Sequence, residues 1–153
     1  MPVPEEAFRG VRQKDKHYAF DFSFNESSPQ EEIYEKSVKQ FIERVIMGYN
    51  STIFAYGATG AGKTYTMLGT AESPGIIPRV VEQLLECVTS DKNSMYQIKL
   101  SFIEVYNENI RDLLDPENKI ALDLREDPER GVVVAGISEI FTSNLDDTVA
   151  LIK

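Results

Sequence analysis

Apolar residues recur along the chain with a period that changes from one segment to the next. Tyr34, Val38, Phe41, Ile42, Val45, Ile46 and Tyr49 step by three and four, which is one face of an amphipathic helix. Ser28 as cap, Pro29 in the first turn and Glu31 in capping-box position mark where that helix starts. Gly48 and Asn50 end it, and Glu32–Lys36 and Glu35–Lys39 pair along its polar face. Ile77, Val80, Val81, Leu84, Leu85 and Val88 give a second helical stretch that runs up to "TSDKNS". Elsewhere the pattern turns to strands. "HYAFDFSF" (His17 to Phe24) alternates and is rich in aromatics, and "STIFAY" (Ser51 to Tyr56) is short and mostly apolar, as a buried strand would be. "YQIKLSFIEVY" (Tyr96 to Tyr106) alternates as one long strand, with "NENIRDLLDP" turning after it. "LDLRED" and "VVVAGI" flank "PERG" as a hairpin. "TSNLDDTVALIK" opens a last helix, capped by Ser143 or Asn144. No internal repeat is visible.

One stretch breaks both periodicities. "FAYGATGAGKTYTM" contains Gly57, Ala58, Thr59, Gly60, Ala61, Gly62, Lys63 and Thr64, which together fit the phosphate-loop pattern G-x-x-x-x-G-K-[ST]. The spelling follows from the chemistry. Gly57, Gly60 and Gly62 allow the backbone to turn its N–H groups inward and approach phosphate oxygens that a Cβ would obstruct. A helix beginning in "KTYTML" points the positive end of its dipole at the same anion. Lys63 is a mobile point charge for the β- and γ-phosphates, and the Thr64 hydroxyl is a ligand for Mg²⁺. A glycine-rich turn can match the pattern by chance. Here a predicted strand precedes it and a predicted helix follows, which is the context the motif requires.

Composition narrows the setting without changing this reading. The chain has 153 residues, 42% apolar and 27% charged, so one globular unit burying about 70% of its unfolded surface is expected. A net charge of −9 argues against broad binding to nucleic acid or anionic membrane. The lone cysteine, Cys87, precludes an internal disulfide, suits a reducing compartment, and has no basic neighbour to make it a nucleophile. The single histidine, His17, has no metal-binding companions and reads as a surface residue. "MPVPEEAFRG" carries acids and prolines in place of a signal peptide's apolar core, and "GVVVAGI" is far below the ~20 residues of a membrane span, so a soluble, intracellular chain is expected.

Hydrolysis needs more than a phosphate cradle. A carboxylate at the end of an apolar strand must hold the Mg²⁺ shell, and another group must orient the attacking water. Asp21 in "YAFDF" and Glu104 in "SFIEVY" lie within strand-like runs without the glycine turn such a carboxylate precedes, so both read as strand residues. No catalytic residue is assigned.

Taken together, these stretches resemble the kinesin motor domain. "GYNSTIFAYGATGAGKTYTMLGT" is similar to its phosphate-loop region, "SFIEVYNENIRDLL" to the strand and turn that follow, and "SPQEEIY" to the start of the helix before the loop. "LREDPERGVVVAGISE" is most similar to the class-eight kinesins. The resemblance covers about residues 17 to 153, with residues 1 to 16 expected as an irregular segment ahead of a partial motor domain. It implies an α/β fold, part of a P-loop NTPase, with a mixed, mostly parallel sheet flanked by helices. It also implies an ATP-driven, microtubule-stimulated motor in the cytoplasm, bound to the microtubule cytoskeleton, with ATP and Mg²⁺ as its ligands. By position, Gly57 to Thr64 would hold ATP, Thr64 would hold Mg²⁺, and Tyr65 would lie near the adenine. The family's first strand, its two switches and its main microtubule-binding helices are expected outside these residues, which leaves the chain alone catalytically incomplete. Two alternatives remain on the residues themselves. One is a P-loop nucleotide kinase or other transferase, for which only the scattered Arg79, Arg111, Arg125 and Arg130 are available. The other is a non-catalytic truncated product that interferes with full-length motors.

Overall fold

A computed structural model describes residues 17–118 and 120–152; the expectations for residues 1 to 16 lie outside them. Two short helices, α1 (Gln30–Ser37) and α2 (Lys39–Ile46), replace the one helix that the periodicity predicts. The break falls at Val38 (φ −118°), just after Ser37 bonds its hydroxyl back to the Ile33 carbonyl, a contact that bends helices. The buried face nevertheless runs straight through it. Gln30, Tyr34, Val38 and Ile42, each four residues from the last, are all buried. Past Ile42 the stripe emerges, and Tyr49 is 66% exposed because no described element covers it.

The capping box does not form. Pro29 occupies the cap position, and the Ser28 hydroxyl hydrogen-bonds Asn25 in the preceding turn. The pairs Glu32–Lys36 and Glu35–Lys39 do form, at 2.7 Å each. Helix α3 (Lys63–Met67) follows the glycine-rich loop, and α4 (Ile76–Ser90) carries the second helical stretch. Helix α5 (Leu145–Ile152) starts at Asn144, whose side-chain oxygen accepts from the Asp147 N–H at 3.1 Å. The core is small: Tyr34, Val38 and Ile76, with Ile53, Met67 and Val80 packed against them. Burial pushes the Tyr34 hydroxyl up to about 12, with Glu35 adding to the effect, so it stays protonated and hydrogen-bonds Gln83 of α4.

The strands pair as three separate antiparallel ribbons: β1 (Ile98–Leu100) with β6 (Ile140–Thr142), β2 (Ile103–Tyr106) with β3 (Asn109–Asp112), and β4 (Asp123–Asp127) with β5 (Gly131–Ala135). The predicted long strand over Tyr96–Tyr106 is therefore two strands, because its halves find different partners on either side of Ser101–Phe102. Asn107 and Glu108 both have positive φ and close β2 onto β3, the backbone that a tight two-residue hairpin requires. The "PERG" hairpin forms as expected, with Gly131 at φ +76° and the Asp127 carboxylate accepting from the Glu129 and Arg130 N–H groups. Asp112, 5% exposed, ties two ribbons together by accepting from the Leu114 N–H at 2.9 Å and the Ser138 N–H at 2.7 Å.

Two predicted strands are not strands. His17–Phe24 and Ser51–Tyr56 have no ladder partner among the described residues, and Asp21 sits at a bend. Ser51–Tyr56 is not buried either: Phe54 is 81% and Tyr56 96% exposed, and Ile53 alone of this segment joins the core cluster. Glu104 is a strand residue, as expected, facing Arg111 across the β2–β3 hairpin at 3.8 Å. The expected burial also fails. The chain exposes 13345 Å², so of about 25,000 Å² in the unfolded state a little under half leaves water, against the ~70% typical of this length.

Candidate nucleotide-binding site

The glycine-rich loop connects Ser51–Tyr56 to α3, and its backbone explains its spelling. Gly60 (φ +82°) and Gly62 (φ +87°) lie in the left-handed region, where a side chain is strained. Gly57 is constrained by contact instead, because a Cβ there would stand 3.2 Å from the Ala61 Cβ. The Ala61 N–H bonds the Ala58 carbonyl at 3.1 Å and the Thr66 N–H bonds the Gly62 carbonyl at 2.9 Å. Between them, the N–H groups of Gly62, Lys63, Thr64 and Tyr65 donate to no backbone carbonyl among the described residues. These are the donors that a bound anion would engage.

Lys63 follows directly. Its ammonium lies over the loop and donates to the carbonyls of Gly57 and Ala58, both at 2.9 Å. The charge is thus held above the loop's own backbone, within the curve that the glycines make. Ala58 to Gly62 and Thr64 are exposed, and the Tyr65 side chain is 53% exposed.

Behind the loop, α3 is fixed from three sides. Met67 packs into the core cluster. Gly75, at the start of α4, donates its N–H to the Leu68 carbonyl at 3.0 Å, and a Cβ on Gly75 would stand 2.6 Å from the Thr66 carbonyl oxygen. From α1, the Gln30 amide donates to the Tyr65 carbonyl at 2.6 Å. Apolar periodicity does not single out Gln30. Its position one turn before Tyr34, on the stripe that the structure buries, is the signal available in the sequence.

Comparison with known proteins decides what this arrangement belongs to. The kinesin motor domain family matches residues 4–153. The chain belongs to the kinesin motor domain family. It is 44% identical over 153 residues to the kinesin-like protein KIF19 of Mus musculus and of Homo sapiens, covering 99% of this chain and 15% of each of those proteins. It is 45% identical over 128 residues to KIF18B of Gallus gallus, covering 83% of this chain and 16% of that one. A solved structure of a fast kinesin, described for its ATPase mechanism and its interactions with microtubules, superposes with a TM-score of 0.83 at 41% identity. That match covers 88% of this chain and 39% of the fast kinesin. The chain therefore has part of the α/β fold of the kinesin motor domain, but the mostly parallel sheet that the resemblance implies does not form among the described residues, whose strands pair only antiparallel. The chain spans a minor part of its curated relatives.

Proposed function

We propose that Gly57, Ala58, Thr59, Gly60, Ala61, Gly62, Lys63 and Thr64 bind the phosphates of ATP, and that this chain is the nucleotide-binding front part of a microtubule motor. The observation that carries the reading is the loop's geometry: left-handed Gly60 and Gly62, a Lys63 ammonium held over the curve, and four N–H donors at the start of α3. This donor set suits a polyphosphate, since charge-assisted bonds from N–H and ammonium groups to phosphate oxygens are stronger than neutral ones. Thr64, exposed beside Lys63, is the hydroxyl available to Mg²⁺, and the half-exposed Tyr65 ring is a surface for the adenine. Mg²⁺ would neutralise phosphate charge; the protein's own part is to orient the polyphosphate and to hold cationic and N–H groups against it.

Kinesin family membership supports ATP hydrolysis, microtubule binding and a cytoskeletal location for the complete protein, and we extend all three to it as proposals. The class-eight placement is supported by "LREDPERGVVVAGISE", which forms the β4–β5 hairpin and its exit. No observation favours the transferase reading. Thr64→Asn tests the metal role. Nucleotide affinity of the parent is expected to fall when Mg²⁺ is chelated, while the variant is expected to bind weakly and to respond little to Mg²⁺. An unchanged Mg²⁺ response in the variant removes Thr64 from the site.

A further inference from the structure

Gln30 combines features that packing does not explain. Its side chain is a neutral amide, 4% exposed, on the face of α1 that otherwise carries Tyr34, Val38 and, beyond the break, Ile42. Its Nε2 donates to the Tyr65 carbonyl at 2.6 Å, while its Oε1 is buried and accepts no hydrogen bond among the described residues. A buried amide with one unpaired end is unfavourable compared with an apolar side chain of the same volume. Stability alone would favour methionine or leucine at this position.

The acceptor accounts for the choice. Helix α3 has five residues, so its ladder ends almost as soon as it begins, with the Leu68 N–H on the Thr64 carbonyl. The next carbonyl, that of Tyr65, has no backbone donor among the described residues and is satisfied by Gln30. Tyr65 follows Lys63 and Thr64 on the same turn. A single bond from α1 therefore fixes the helix that aims the loop's ammonium, hydroxyl and N–H groups.

We propose that Gln30 is a positioning residue for the phosphate loop: its amide holds the Tyr65 carbonyl, and through α3 it sets the geometry of Lys63 and Thr64 for a nucleoside triphosphate. This rests on the nucleotide-binding reading above, and the test separates the two. Gln30→Met keeps the volume and removes both the donor and the unpaired oxygen. In the full chain, its urea midpoint is expected to equal or exceed that of the parent, while amide exchange over residues 63–68 quickens and affinity for a fluorescent Mg·ATP analogue falls about tenfold. Gln30→Glu keeps the shape but sets an acceptor against the Tyr65 carbonyl; it is expected to weaken binding further, and it decides the question if the Met variant does not fold. Stability and affinity moving in opposite directions is a result that a packing role cannot produce. Parent-like affinity and exchange in both variants overturn the proposal, as does a loss of affinity that only follows a fall in midpoint. If the parent binds, Lys63→Ala does not, and both Gln30 variants bind like the parent, Gln30 alone is wrong. If the parent shows no saturable binding, the nucleotide reading falls and this proposal with it.

Discussion

Removing the Phe54 ring is the sharpest perturbation of the segment that leads into the glycine-rich loop. In a strand buried within a sheet, Phe→Ala costs about 3–5 kcal/mol. Here Phe54 is 81% exposed and its neighbours have no ladder among the described residues, so little burial is lost. Phe54→Ala is expected to change stability by less than about 0.5 kcal/mol. Ile42→Val, at a site 2% exposed, removes a single buried methyl and is expected to cost about 0.5–1.5 kcal/mol. The smaller deletion should therefore have the larger effect. Urea denaturation followed by circular dichroism measures both, and it carries an internal check. The slope of unfolding free energy scales with the surface exposed. With a little under half of its unfolded surface buried, the chain should show about two-thirds of the slope of an ordinary domain of its length. Its transition should be broad and its midpoint low. A loss of about 2 kcal/mol or more in Phe54→Ala, or a full-sized slope, would show that Ser51–Tyr56 lies inside a closed sheet and would refute the reasoning.

Two further outcomes follow from individual groups. For Asp112, burial raises the carboxyl pKa, but the hydrogen bonds from Ser138, Leu114 and Asp115 outweigh it and leave the value below the usual carboxylate range. The stability it contributes is therefore present above its unfolded pKa and is lost as pH falls through the depressed folded value. Asp112→Ala should cost about 1–3 kcal/mol at neutral pH and flatten the decline in stability below about pH 4, which urea midpoints taken from acid to neutral pH would show; an unaltered acid profile contradicts the assignment. The chain by itself is also expected to release no phosphate from Mg·ATP above background, with or without microtubules, because no apolar run in its sequence ends in a carboxylate followed by a glycine turn; microtubule-stimulated release that Lys63→Ala abolishes would overturn this.

Features set by contiguous residues were legible in the sequence. The turn of the glycine-rich loop, α4, the "PERG" hairpin and the Asn144 cap each depend on a short run whose side chains meet their own neighbours. What failed depended on partners far along the chain. A strand is defined by its ladder, and alternation in "HYAFDFSF" or apolarity in "STIFAY" cannot say whether a neighbour is present. The split at Ser101–Phe102 has the same origin, since each half pairs with a different segment. The capping box lost to a local competitor: Asn25 engages Ser28 first. Gln30 was obscured because a polar residue on an apolar stripe reads as the edge of that stripe, and only the fold reveals the Tyr65 carbonyl waiting 35 positions on.

Titration of the purified chain with a fluorescent Mg·ATP analogue, parent beside Lys63→Ala, is the most direct test of the nucleotide-binding claim. Lys63 is held over the loop by the Gly57 and Ala58 carbonyls, and removing its ammonium leaves the loop glycines and the start of α3 in place. The expected result is saturable binding by the parent, competed by unlabelled ATP, and a loss of at least about tenfold in the variant, the loss of one charge-assisted bond to a phosphate. Equal affinity in parent and variant would show that Gly57–Thr64 is a glycine-rich turn and not a phosphate site.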